Sequence, residues 1–136
     1  MKTNLLRISM VAVLAAAAAF AQSSTRMQAN IPFGFVVGGK ALPAGHYTVD
    51  RGPASGIVTI RSGDGQGAAM VLTVSLYSTV TRDAGRLVFH RYGDTFFLSE
   101  VWEPGNDGHQ LSPSPREREL EAKLAAPTRT IIAALH

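Results

Sequence analysis

His90-Arg91-Tyr92-Gly93-Asp94 is the densest group of chemically capable side chains in the sequence. A histidine titrates near neutrality and can act as general base if a carboxylate orients it, a role that Asp94 or Glu100 could fill. A hairpin tip supplies the same residues for another reason: it needs polar side chains, and Gly-Asp is turn chemistry. Strand alternation also puts His90 and Tyr92 on the face opposite Arg91, so the group does not converge on one substrate. His90, Arg91, Tyr92, Phe97 and Trp102 are therefore read as candidate binding residues, and no catalytic residue is assigned. The rings Phe89, Tyr92, Phe96, Phe97 and Trp102 could line a ligand cavity or form a contact patch, but core packing accounts for them better.

The other candidates are thinner. The four histidines, His46, His90, His109 and His136, contain no H-x-H or H-x-x-H pair, and cysteine is absent. No metal site and no cofactor are expected, and neither a disulfide nor a thiol nucleophile is possible. Gly63-Asp64-Gly65-Gln66-Gly67 has the glycines of a phosphate loop, but a strand follows it rather than the helix whose N-terminal amides would meet an anion. G-x-S-x-G, H-E-x-x-H and paired carboxylates do not occur.

The elements that must position these residues begin after a leader. Lys2 and Arg7 precede an apolar run from Ile8 to Phe20, and Ala19-Phe20-Ala21 supplies the small-x-small pattern of a signal peptidase site. Residues 1–21 are thus expected to be a cleaved signal peptide with Gln22 as the new N-terminus. The expected compartment is periplasmic or extracellular. The run is 13 positions long, short of the roughly 20 apolar residues of a spanning helix, so no membrane span is expected in the mature form. Of 13 Lys+Arg, two leave with the leader, and the remaining 11 face 10 Asp+Glu. A net charge of +1 lacks the basic footprint of a nucleic-acid binder.

Residues 22–136 read as a single domain, all-β and mainly antiparallel: a small sandwich or barrel-like fold with a short C-terminal helix. All 13 glycines punctuate runs rich in Val, Ile, Thr, Phe and Tyr. Strands are predicted over Ala29–Val37 (interrupted at Pro32 and Gly34), His46–Arg51, Ile57–Arg61 and Ala68–Tyr77. Gly93-Asp94 predicts a type II′ hairpin spanning Arg86–Glu103, pairing Tyr92 with Thr95, His90 with Phe97 and Phe89 with Leu98. Simple alternation then gives one face Leu87, Phe89, Phe96, Leu98 and Trp102, and the other Val88, His90, Tyr92, Phe97 and Val101. Glu103–Ser112 reads as a polar, turn-rich connection. Ser114-Pro115-Arg116-Glu117 has the form of a capping box and predicts a helix over about 115–125. Its Arg116–Glu121 stretch would be solvated, with Leu120 and Leu124 turned inward. Pro127 ends the helix, and Thr130–Leu135 would follow as an edge strand or docked tail.

Two stretches carry a resemblance: Ile31-Pro32-Phe33 through Lys40 with Leu42-Pro43-Ala44-Gly45-His46-Tyr47-Thr48-Val49, and Phe89–Asp94 with Phe97–Trp102. Together they resemble a family of small exported bacterial proteins that has no assigned function, over Ala29 to about Leu120. The resemblance implies no site residues. The Leu-Pro-Ala-Gly-x-Tyr piece is also similar to a segment of unrelated β-sandwich modules, which implies fold alone.

The sequence therefore predicts an exported non-enzymatic β-domain that binds a protein or an envelope component. Two alternatives stay open: a barrel holding an apolar ligand, and a small hydrolase or isomerase using His90.

Overall fold

The computed structural model describes residues 25–51, 56–124 and 126–134. The predicted leader 1–21, its cleavage residues Ala19, Ala21 and Gln22, and His136 lie outside them. In chain order the described elements are β1 (Thr25–Ile31), β2 (Phe35–Val37), β3 (Lys40–Leu42), β4 (Gly45–Arg51), β5 (Ile57–Ser62), β6 (Ala68–Arg82), β7 (Gly85–Tyr92), β8 (Thr95–Trp102), β9 (Gly105–Leu111), α1 (Pro115–Lys123) and β10 (Thr128–Ala134). The described residues are all-β with one short helix, as the glycine-punctuated pattern predicts.

Pairing runs β1-β4-β5-β6-β9-β8, then from β8 to β7 and β10. All of these contacts are antiparallel, while the β2–β3 hairpin joins β8 through one parallel pair, Val36 with Phe97. Strand β6 makes two layers out of this order. Its first part, Ala68–Leu72, pairs with β5, and its next part, Thr73–Tyr77, pairs with β9. At the far edges β1 and β10 come side by side, where Met27 and Ala134 fill the space that a side chain on Gly85 would need.

Between the layers lies a core in which Ile31, Tyr47, Val49, Val58, Ile60, Leu87, Phe89 and Val101 are all at most 2% exposed. Phe35 meets both Tyr47 and Phe89 edge-on, at ring distances of 5.0 and 5.5 Å. Pro32 ends β1 because it has no N–H to continue a ladder. Gly38 and Gly39 turn β2 into β3 at φ +54° and +84°, in the left-handed region that glycine enters without steric cost.

The predicted hairpin forms in the predicted register, Tyr92 with Thr95, His90 with Phe97 and Phe89 with Leu98. Gly93 has φ +60° while no non-glycine residue among those described is positive, which fits the type II′ turn. Further down, the face assignment needs correcting. The register slips between Val88, opposite Glu100, and Phe89, opposite Leu98. That bulge leaves Ser99 as the extra residue and reverses alternation on β8 beyond it. Val101 consequently joins Leu87, Phe89 and Leu98 in the core, and Trp102 turns to the opposite face, where it stays buried against Gly108 and beneath Arg86.

The Glu103–Ser112 connection is also corrected, since most of it is strand β9. Its composition is that of turns, but β6 and β8 pair with it on both sides. Gly108 is required there because the Trp102 ring lies where its Cβ would be, 2.5 Å away.

Candidate functional site

Helix α1 builds one candidate site. The Ser114 hydroxyl accepts from the Glu117 N–H at 3.2 Å, and Pro115 occupies the first turn without losing a hydrogen bond. In a full capping box the Glu117 carboxylate would reach back to the Ser114 N–H. Instead it turns toward the sheet and is only 5% exposed, which corrects the expectation of a wholly solvated stretch. Its Oε1 accepts from the Tyr92 hydroxyl and lies next to His90 Nδ1, each at 3.3 Å. One turn on, Leu120 packs against Val36, Tyr92 and Phe97. Leu124 does not turn inward and is 47% exposed.

Burial, and then the carboxylates of Glu117 and Glu121, push the Tyr92 phenol up to about 12. Each cause penalises the phenolate: burial removes its water, and the acids repel its charge.

Of the predicted binding residues, this arrangement brings together His90, Tyr92 and Phe97. Arg91 points the other way, with its guanidinium 5.3 Å from the Phe96 ring and its Nε donating to the Gly93 carbonyl at 2.7 Å. Trp102 stands at the opposite end of β8, donating to Glu100 at 2.8 Å beneath the Arg86 guanidinium. Phe89 is packed against Phe33 and Phe35. Phe89, Phe97 and Trp102 therefore occupy three separate environments and do not line one chamber.

The carboxylate beside His90 is Glu117, not Asp94 or Glu100. Asp94 is exposed near Arg91, and Glu100 is held by Trp102 and Arg129. Glu117 was identifiable only through helical spacing: with Leu120 three residues on, it shares the inward face. A His–Glu pair can hold and orient a proton. Here, however, the Tyr92 hydroxyl is directed at the same carboxylate, and four shallow clefts on the described surface all exclude His90. Among the described residues no three His, Asp or Glu side chains converge as metal ligands. His109 is buried with Nδ1 3.3 Å from the Thr73 hydroxyl, while His46 is exposed.

A second surface was not anticipated from the sequence. The outer face of β6 carries Met70, Leu72 and Val74, which are 70%, 78% and 62% exposed. A cleft of about 310 Å³ beside them is lined by Gly38, Val71, Leu111 and Ser112. Further along β6, Tyr77 and Val80 are also exposed. The sequence signal was present, since no charged residue occurs from Gly65 to Thr81. Alternation alone does not locate it, because both alternating sets of the run are apolar.

No helix of the described residues is long and apolar enough to cross a membrane. Neither a protein-family model, nor a curated protein, nor a solved structure matches this chain.

Proposed function

We propose that the protein is an exported, non-enzymatic β-domain that acts by holding a protein partner against the outer face of β6. One observation carries this reading: three large apolar side chains two residues apart, Met70, Leu72 and Val74, project from one strand into solvent. Isolated exposed apolar residues are ordinary, but a contiguous row of them marks a contact surface. The row also lies beside an apolar cleft that a partner's side chain can enter. Export rests on the leader, residues 1–21, with its cationic start and small-x-small cleavage pattern.

The test is site-specific photocrosslinking in the exporting host. A photoreactive residue at position 72 should give a discrete protein adduct that disappears when Met70 and Val74 are changed to serine. The same probe at position 48, on β4, serves as control. If both positions give the same adducts, or neither gives any, the reading is wrong. Mass spectrometry of the exported protein should find Gln22 at its N-terminus.

The hydrolase or isomerase alternative has one observation in its favour, the 3.3 Å approach of Glu117 to His90. Against it stands the Tyr92 hydroxyl, which donates to the same Glu117 oxygen at 3.3 Å. The partner reading rests on more of the surface.

A further inference from the structure

Two basic side chains converge on the start of the exposed β6 row. Arg61 stands directly opposite Ala68 in the β5–β6 ladder, on the same outward face as Met70 by two-residue alternation. Lys40, on β3, donates from Nζ to the Ala68 carbonyl at 2.7 Å. Both are exposed. The turn that carries Lys40 is packed directly on β6, since a Cβ on Gly38 would meet Val71 Cγ1 at 2.6 Å. One N–H of the Lys40 ammonium is engaged and two remain free, because the group has three donors.

Neither cation is balanced. Arg26, Arg51, Arg91 and Arg129 each have a carboxylate oxygen within 3.8 Å, whereas among the described residues Lys40 and Arg61 form no ion pair. The acid nearest to Arg61 in sequence is Asp64. It turns its carboxylate into its own loop, accepting from the Ser62 hydroxyl at 2.5 Å and the Gln66 N–H at 2.9 Å. From Gly65 to Thr81 the chain carries no charge. The contact face is thus basic at one end and apolar beyond it, at Met70, Leu72 and the cleft of about 310 Å³ beside them.

We propose that the partner held at this face is an acidic, amphipathic segment of a protein. Its apolar side chains lie along Met70 and Leu72, one of them in the cleft, and its carboxylates meet Lys40 and Arg61. The proposal rests on the β6 reading and adds the partner's charge to it. Complementary charge at a rim fixes register and orientation, while buried apolar anchors supply most of the affinity. Ala68 and Leu72 are four residues apart, about 13 Å along the strand. The carboxylates therefore stand about 13 Å from the apolar anchor, roughly four residues of an extended partner or nine of a helix. A basic segment would set like charges together at Lys40 and Arg61, which costs affinity. A flat anionic bilayer would draw on cations all round the apolar row, and here they stand together at one end.

The photoreactive residue at position 72 reads the charge preference in the exporting host. Lys40→Glu combined with Arg61→Glu should cut the adduct by about tenfold. Arg116→Glu combined with Arg118→Glu, on the exposed side of α1, changes net charge equally and should leave it intact. Unchanged circular dichroism checks that each variant folds. Sequencing of the adduct should find carboxylates in the crosslinked segment. Changing them to lysine should abolish the adduct with wild type and restore it with the Lys40→Glu, Arg61→Glu variant. The purified protein should not sediment with vesicles of phosphatidylglycerol and phosphatidylcholine.

An adduct equally strong after reversal of Lys40 and Arg61 would overturn the proposal and leave the partner reading standing. So would a crosslinked segment without carboxylates. Sedimentation with the vesicles that Met70→Ser abolishes would make the occupant a lipid surface and overturn it as well. No adduct in any background would instead remove the partner reading, and this proposal with it.

Discussion

Tyr92 and Glu117 share one buried hydrogen bond, and the phenol's raised titration ties it to pH. In an unfolded chain a tyrosine ionises near 10, whereas in the folded protein burial and the two acids push Tyr92 up to about 12. Below pH 10 the phenol is protonated in both states, and its contribution is fully present. From about 10 to 12 the unfolded chain ionises first, so stability falls as pH rises, by at most about 1.4 kcal/mol per pH unit. Above about 12 this contribution is gone. Tyr47 is also raised, chiefly by burial, and works in the same direction, so the informative comparison is with Tyr92→Phe. That variant should lose about 1–2 kcal/mol near neutral pH with the hydrogen bond and show a shallower alkaline decline. Urea midpoints across the window would check both; equal slopes would remove Tyr92 from the account. Gly108 is a second single-residue case. Because the Trp102 ring lies 2.5 Å from an added Cβ, Gly108→Ala should cost about 1–3 kcal/mol through overpacking. It should also shift the emission of Trp102, the only tryptophan.

Among the elements, the strands with β-branched and aromatic runs between glycine turns were readable, and so was the II′ hairpin at Gly93-Asp94. The bulge at Ser99 was not. No glycine or turn residue marks it, and it exists because β8 must pair with β7 on one side and with β9 on the other. One extra residue there reversed the faces of Val101 and Trp102, and so dispersed the aromatic cluster expected from simple alternation. Strand β9 was illegible for a related reason: Gly105-Asn106-Asp107-Gly108 has turn composition, and only its two neighbours make it a strand. Helix α1 was readable from its cap, but the burial of Glu117 depends on the sheet beneath it. Since α1 contributes one apolar contact and one buried carboxylate, it should behave as a locally stable unit. Ser114→Ala should weaken it by about 1 kcal/mol. The expected signature is faster amide exchange over Pro115–Lys123 with little change in β4 or β5. Equal acceleration throughout the sheet would mean that the helix is integral to global stability.

At the scale of the whole molecule the sequence specified the class of fold but did not mark the exposed face of β6. Counting charge without the expected leader leaves a net of +1, the ground on which no nucleic-acid footprint is expected. The uncharged run of β6 is apolar in both alternating sets, so alternation alone does not say which set faces solvent. In the structure β6 is longer than either neighbour. It crosses between layers, half-buries its inner side and leaves Met70, Leu72 and Val74 exposed. Protection against exchange should follow this layout. The slowest amides are expected in β4, β5, β7 and the Leu98–Val101 part of β8, around the fully buried Val49, Ile60 and Phe89. The fastest strand amides are expected in β6 beyond Tyr77, where the ladder to β9 is interrupted until Arg82 meets Gly105. Hydrogen exchange followed by NMR checks this order, and core amides no slower than those of Ser78–Thr81 would overturn it.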